Sequence, residues 1–279
     1  MLIGIIKFAV AGYATLVFLL YLLQRRLIYR PDRPGGTLPQ LGDLAGFGVR
    51  AVTLTTEDGL ELFSWYRPPP AGAPVILYCH GNGGHIGYRA GRLLRFAEAG
   101  YGVLLLEYRG YGGNPGRPSE RGLYADGAAA IAFLGRAGIP PERIALYGES
   151  LGGAVAVRLP LLCRPAALIL ECPFTSLVDI GRLRFPLVPV RVLLRDRFEL
   201  RSAIGGVKAP VLVLHGERDG IVPAAFGRAV LAAAPEPKEG WFAPEARHMN
   251  LAEFGGLDAV LDFLSRRLGD CHCERSEAI

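Results

Sequence analysis

The sequence predicts an α/β fold: a mostly parallel sheet of eight strands flanked by helices, with one hydrophobic helix ahead of it. Three observations carry this. From about residue 48 to 269, short β-branched and apolar runs alternate with helix-like stretches, the pattern of a parallel sheet. The hexapeptide Gly148-Glu149-Ser150-Leu151-Gly152-Gly153 stands between the apolar run Ile144–Tyr147 and the helix-forming Ala154–Val157. Finally, Leu2–Leu23 is almost wholly apolar, with Lys7 its one charge.

That first segment spans roughly 33 Å as a helix, enough for a bilayer core of about 30 Å. Lys7 lies near one end and can snorkel to the interface. The next residues are Gln24-Arg25-Arg26, not a small-residue cleavage site, so residues 1–24 read as an uncleaved transmembrane anchor. Arg25, Arg26, Arg30 and Arg33 cluster after it, which by the positive-inside rule puts the catalytic domain in the cytoplasm. Residues 25–47, glycine- and proline-rich toward their end, read as a juxtamembrane linker. A chain beginning near Arg33 is therefore expected to act on small soluble substrates by itself.

The candidate strands are Val52–Thr55, Leu60–Tyr66, Val75–Cys79, Gly102–Glu107, Ile144–Tyr147, Ala167–Glu171, Val211–Leu214 and Trp241–Ala243. Candidate helices are Gly87–Ala99, Leu123–Ala137, Leu151–Leu162, Ala225–Ala234 and Leu251–Leu268. About forty residues separate the strand ending at Glu171 from the one starting at Val211, far beyond an ordinary connection of about four to six. Within them, about residues 174–208 read as a small cap whose apolar residues could line a pocket. Residues 270–279 are polar and aperiodic and read as a disordered tail.

Strand, sharp turn and helix around Gly-x-Ser-x-Gly place Ser150 in strained backbone with its hydroxyl exposed, a nucleophile in need of a base. Five histidines are available. His80 and His215 each follow an apolar run and precede glycine, which suits structural or loop-shaping roles. His85 begins a helix and His272 lies in the tail. His248 sits in a loop after the last strand and is the expected base. Asp219, in the loop after Val211–Leu214, is the expected orienting carboxylate, with Glu217 a nearby competitor. The order Ser150, Asp219, His248 is one known arrangement of such a triad. Oxyanion donors are expected from the N–H of Leu151 and from the turn His80-Gly81-Asn82-Gly83-Gly84, with Asn82 chosen and Gly83 the alternative.

These motifs resemble the α/β-hydrolase fold superfamily, and more closely its membrane-anchored abhydrolase-domain members. The matching pieces are Leu27–Pro31, His80–Gly84, Glu107–Gly112, Gly148–Gly153, Pro173–Leu177 and the Asp219 and His248 loops, in family order across about residues 27–268. The resemblance implies a serine hydrolase similar to the serine aminopeptidase and acyl-protein thioesterase-like group. It implies an ester or thioester substrate that is a small or lipid-like acyl compound or an acylated protein, a peptidase being the alternative. A non-catalytic protein retaining the fold would be expected to lose a triad member. Gly-Asn-Gly-Gly after His80 departs from the His-Gly-Gly-Gly of many lipases.

No cofactor is expected. Gly110–Gly116 lacks the Lys-Ser/Thr of a phosphate loop, and Ile86 occupies the third position of a would-be dinucleotide glycine signature. Cys271-His272-Cys273 offers too few ligands for an expected metal site. Cys79, Cys163 and Cys172 read as thiols outside any disulfide frame. The formal charge of +5 gathers partly beside the hydrophobic segment, facing anionic lipid, and no basic stripe suggests nucleic acid.

Overall fold

The computed structural model describes residues 1–31 and 40–268. The expected tail, 270–279, and its Cys-His-Cys triplet lie outside them. The chain opens with helix α1 (Leu2–Ile28), followed by the two-residue strand β1 (Arg30–Pro31). Strands β2 (Arg50–Thr55), β3 (Glu61–Arg67), β4 (Val75–Cys79) and β5 (Gly83–Gly84) come next, then α2 (Ala90–Glu98), β6 (Gly102–Leu106) and α3 (Glu120–Arg136). The second half runs β7 (Ile144–Glu149), α4 (Leu151–Ala156), β8 (Ala167–Glu171), α5 (Leu177–Arg184), α6 (Val190–Leu193) and α7 (Leu200–Ile204). It closes with β9 (Val211–Gly216), α8 (Ala224–Ala233), β10 (Lys238–Ala243) and α9 (Gly256–Leu268).

Eight strands form one sheet in the order β10-β9-β8-β7-β4-β6-β3-β2. β3 runs antiparallel to both its neighbours, and the other pairings are parallel. Helices cover both faces, so the central strands are apolar at every position rather than at every second one. Leu104 and Leu106 of β6 face one buried cluster, while Val103 and Leu105 face the other. β4 has β7 on one side and β6 on the other. Its carboxyl end therefore lies at a point where strand order reverses, the usual crevice of open α/β sheets.

Some boundaries differ from expectation for local reasons. The helix expected over Leu151–Leu162 stops at Ala156 and resumes as a 3-10 turn at Leu159–Leu161. Pro160 lacks an N–H and disfavours helical backbone before it. The helix expected over Leu251–Leu268 breaks at Gly255, whose φ of 89° is left-handed, and α9 begins after it. α3 starts earlier than expected because Ser119 caps it by accepting from the Gly122 N–H.

The larger correction concerns residues 25–47. Where they are described they do not form a free linker. α1 continues through Ile28, Tyr29 is buried, β1 pairs in parallel with β5, and Gly42–Phe47 is a 3-10 helix with Leu44 buried beneath it. The segment expected as a cap, 174–208, holds the three short helices α5, α6 and α7, and α1 runs against it. Gln24, the one buried residue of α1, donates to the Leu193 carbonyl (3.2 Å) and accepts from the Arg195 N–H (2.8 Å). Arg25 makes a two-pronged pair with the buried Asp196 (2.8 and 3.0 Å).

Candidate active site

Two turns at the carboxyl edge of the sheet build the site. The first follows β7. Ser150 has φ 50° and ψ −109°, a left-handed conformation for a residue with a side chain. Such backbone costs about 1–3 kcal/mol and persists only where its surroundings force it. Here the forcing is steric. A Cβ on Gly148 would collide with the Gly153 Cα, and one on Gly152 with the Cys79 carbonyl of β4. The serine N–H donates to the Glu171 carbonyl of β8 (2.8 Å), which pins the turn across the sheet. Leu151 begins α4, so its N–H is among those without a partner inside the helix.

Ser150 Oγ lies 3.2 Å from His248 Nε2, and His248 Nδ1 lies 2.6 Å from Asp219 Oδ2. The other carboxylate oxygen of Asp219 accepts the N–H groups of Ile221 and Val222, both at 2.8 Å. Burial opposes ionisation of Asp219, but hydrogen bonds from His215 and His248 outweigh it and hold the carboxyl well below the usual carboxylate range. Glu217, the competing acid, pairs instead with Arg228 at the surface. The serine, the histidine and Asp219 are thus brought into one line from β7, the loop after β10 and the loop after β9.

His215, taken from the sequence as a loop-shaping residue, also reaches this constellation. Its Nε2 lies 2.9 Å from the Val222 carbonyl and 3.2 Å from Asp219 Oδ2. Both partners are acceptors, so this nitrogen carries the proton. Its position at the end of a buried strand, four residues before the acid, was the available signal. Cys172, His215 and Asp219 come close enough to suggest a metal cluster. The histidine N–H facing the carboxylate and the burial that pushes the Cys172 thiol up argue that they form a support for the acid instead.

The second turn follows β4. His80 is fully buried, with Nδ1 2.7 Å from the Gly81 carbonyl and Nε2 2.9 Å from Glu107. Glu107 also accepts the Ile86 N–H (2.9 Å), tying both ends of the turn to the residue that follows β6. Glu149, the residue before the serine, accepts from Tyr78 (2.7 Å) and twice from Arg89 (2.7 and 3.1 Å) beneath the same turn. A Cβ on Gly81 would sit 2.8 Å from that carboxylate, so glycine is required there. Asn82 holds the turn from above. Its side-chain oxygen accepts from the Arg30 N–H (3.2 Å) and the Tyr111 hydroxyl (2.9 Å), and its amide donates to the Ile28 carbonyl. The exit of α1 is therefore fastened to the turn expected to supply the second oxyanion donor, a link that local sequence patterns do not carry.

Above the site, Arg184 at the end of α5 donates to the carbonyls of Gly220 and Ile221 (both 3.2 Å), joining the cap to the acid loop. A cavity of about 630 Å³ opens between α5, α6 and α8, with Leu183, Pro186, Val190 and Phe226 in its wall. None of its lining residues belongs to the Ser150 constellation.

Comparison with known proteins places these observations. Residues 71–193 match the family model described as serine aminopeptidase, S33. An uncharacterised protein of Mycobacterium tuberculosis is 42% identical over 269 residues, covering 94% of each chain. Protein bem46 of Schizosaccharomyces pombe is 35% identical over 217 residues, covering 73% of this chain and 72% of its own. Alpha/beta hydrolase domain-containing protein 17B of Xenopus laevis is 31% identical over 220 residues, covering 78% of this chain and 75% of its own. Among solved structures, the Pyrococcus furiosus esterase Pf2001 superposes with a TM-score of 0.69 at 21% identity, covering 86% of this chain and all of its own.

Proposed function

The chain belongs to the α/β-hydrolase superfamily, and from that premise we propose that it is a serine hydrolase that cleaves carboxylic esters or thioesters at the membrane. The carrying observation is the line Ser150–His248–Asp219, with 3.2 and 2.6 Å between its members and a strained serine at its head. In this reading Ser150 Oγ attacks the acyl carbon while His248 Nε2 takes its proton. Asp219 holds the imidazole through Nδ1 and stabilises its charge. The tetrahedral oxyanion is held by the N–H groups of Leu151 and Asn82. Its collapse expels the alcohol or thiol, which leaves with the proton from His248. Water then attacks the acyl-serine, giving its proton to His248; collapse releases the carboxylic acid, and His248 returns that proton to Ser150 Oγ. No step calls on a cofactor.

Asn82 suits the second donor because its side chain is committed elsewhere, to Ile28, Arg30 and Tyr111, which fixes the peptide that carries its N–H. α1 is long and apolar enough to cross a membrane. As an anchor it would raise the concentration of bilayer-borne substrates, with the catalytic domain on the cytoplasmic side by the arginines that come after it.

The serine aminopeptidase description of the matching family favours a second reading, cleavage of small peptides. It asks more of His248, which must protonate an amine leaving group. A panel of acyl esters, acyl thioesters and aminoacyl amides separates the two. The core test is Ser150→Ala. It should abolish fluorophosphonate labelling and lower ester turnover about 10⁶-fold, as removal of a triad nucleophile does elsewhere, with an unchanged melting temperature. Equal labelling of the variant and the native chain would overturn the assignment.

A further inference from the structure

α1 does not stand clear of the catalytic domain. Its covered residues are Val17, Leu20, Tyr21, Gln24 and Ile28, a stripe at helical spacing. Further up, the Tyr13 hydroxyl donates to the Leu187 carbonyl (2.7 Å), and the Arg195 guanidinium lies 4.3 Å from the centre of the Tyr21 ring. From Tyr13 to Ile28 is about 22 Å along a helix, and only Leu2–Gly12, about 16 Å, extends beyond the cap. That free part is about half of a hydrocarbon core of about 30 Å. An inserted α1 must therefore take some of its docked length into the bilayer, and the part of the cap docked to it goes in as well.

The cap carries the surface such a position requires. Phe185–Leu194 contains one charge, Arg191. Leu187 and Val192 are 84% and 83% exposed, and Leu183 and Phe185 about half exposed. Backbone outside regular structure is tolerated at membrane depth only where its polar groups find partners. Here the Leu187 and Leu193 carbonyls accept from Tyr13 and Gln24 of α1. Arg182, Arg184 and Arg191 are exposed around this tip, on stems long enough to reach anionic headgroups.

We infer that the apolar tip of the cap, Phe185–Leu194, is a lipid-binding surface that enters the bilayer alongside α1. The inference rests on α1 being an inserted anchor. The bilayer is the occupant because the Leu187 carbonyl is bonded to Tyr13, inside the apolar run Leu2–Leu23, so whatever covers the tip lies at membrane depth. Through Arg184 the tip also touches the acid loop at Gly220 and Ile221, so the mouth of the site would open near the hydrocarbon boundary.

The test uses the full chain in phosphatidylcholine–phosphatidylglycerol vesicles. The background carries Cys163→Ser, Cys271→Ser and Cys273→Ser. Single cysteines are placed by Ile6→Cys, Leu187→Cys, Val192→Cys or Lys208→Cys and labelled with an environment-sensitive fluorophore. Lys208 precedes β9, at the sheet edge away from the site. Nitroxides on the lipid acyl chains should quench the labels at 6, 187 and 192 alike and leave the label at 208 bright. Quenching at 6 with none at 187 and 192 would overturn the inference while keeping the anchor. No quenching at any position would overturn both. In a second arm, Leu187→Asp, at a residue outside the cavity wall, should lower turnover of a vesicle-borne acyl ester several-fold and leave a soluble short-chain ester unaffected. Equal turnover of the vesicle-borne ester by variant and native chain would count against the tip.

Discussion

The Ser150 turn and the cap both sit over the carboxyl edge of the sheet, yet they are held in place by different means. The turn is fixed by contacts between neighbouring strands. Gly148 and Gly152 admit no Cβ, and the Ser150 N–H bonds to β8. The cap is fixed by side chains of α1 that are some 170 residues away in sequence: Tyr13, Gln24 and Arg25 reach Leu187, Leu193 and Asp196. The turn is thus set by the local backbone, and the cap by distant side-chain contacts. Mutations should separate the two.

The largest effect belongs to the chemistry. Asp219→Asn keeps the shape of the acid loop but offers His248 the wrong hydrogen-bonding partner. It should cost about 10⁴-fold in kcat by analogy with other triads, measured on a soluble ester. A far greater loss from Glu217→Gln would mean that the wrong acid has been named.

Next comes the support beneath both turns. Burial opposes ionisation of Glu149, but the Arg89 charge outweighs it and holds the carboxyl below its usual range. Breaking such a buried pair costs about 3–5 kcal/mol, so Glu149→Gln should lower unfolding free energy by that order in denaturant titrations at neutral pH. The depressed pKa sets the pH dependence. The pair contributes fully above the ordinary glutamate pKa of about 4.3 and loses that contribution as pH falls toward about 2. The gap between native and variant stability should narrow over that window; a constant gap would assign the loss to packing.

The third prediction crosses between the regions. A chain truncated to begin at Arg33 loses the buried Tyr29, the β1–β5 pairing and two of the partners of Asn82. It should lose about 3 kcal/mol or more of stability, the scale of removing a large buried side chain, and turn over soluble esters more slowly. A truncation beginning at Gln24 keeps Tyr29, β1 and the partners of Asn82 and should lose less of both. Equal behaviour of the two truncations would restore the picture of a detachable anchor. The smallest effect concerns His215. His215→Leu removes a hydrogen bond to a charged carboxylate, worth about 1.5 kcal/mol or about tenfold in kcat. His215→Gln, which keeps an N–H donor, should recover part of it.

The same division explains what the sequence made legible. Gly148 to Gly153 announces its geometry in six consecutive residues, because a sharp strand-to-helix turn needs small residues at fixed offsets. Asp219 and His248 stood out through their loops and their order along the chain, and the structure brings both to Ser150. The strands were visible because parallel strands covered on both faces are continuously apolar. The docking of α1 was not visible, because an apolar helix looks the same whether lipid or protein surrounds it. One signal existed: Gln24 comes directly after the apolar run and reads as the flank of a span, whereas it is the one residue of α1 that the fold buries. β1 and β5 escaped notice because a two-residue pairing has no period to detect. Asn82 stood out for its backbone, while its side chain, which nothing nearby in the sequence requires, holds the exit of α1.

The docked exit of α1 also bears on how far the catalytic domain can roam. A flexible segment of residues 25–47 would give a root-mean-square reach of about 27 Å, from about 5–6 Å times the square root of its length. A domain on such a leash would sweep out a volume above its membrane and could meet acyl groups on a neighbouring vesicle or on soluble carriers. Arg25–Asp196, Gln24–Leu193 and the β1–β5 pairing shorten the leash to nothing. With α1 inserted as proposed, a domain mounted this way would turn with its helix and diffuse with it in two dimensions, and would meet bilayer-borne acyl groups within its own membrane.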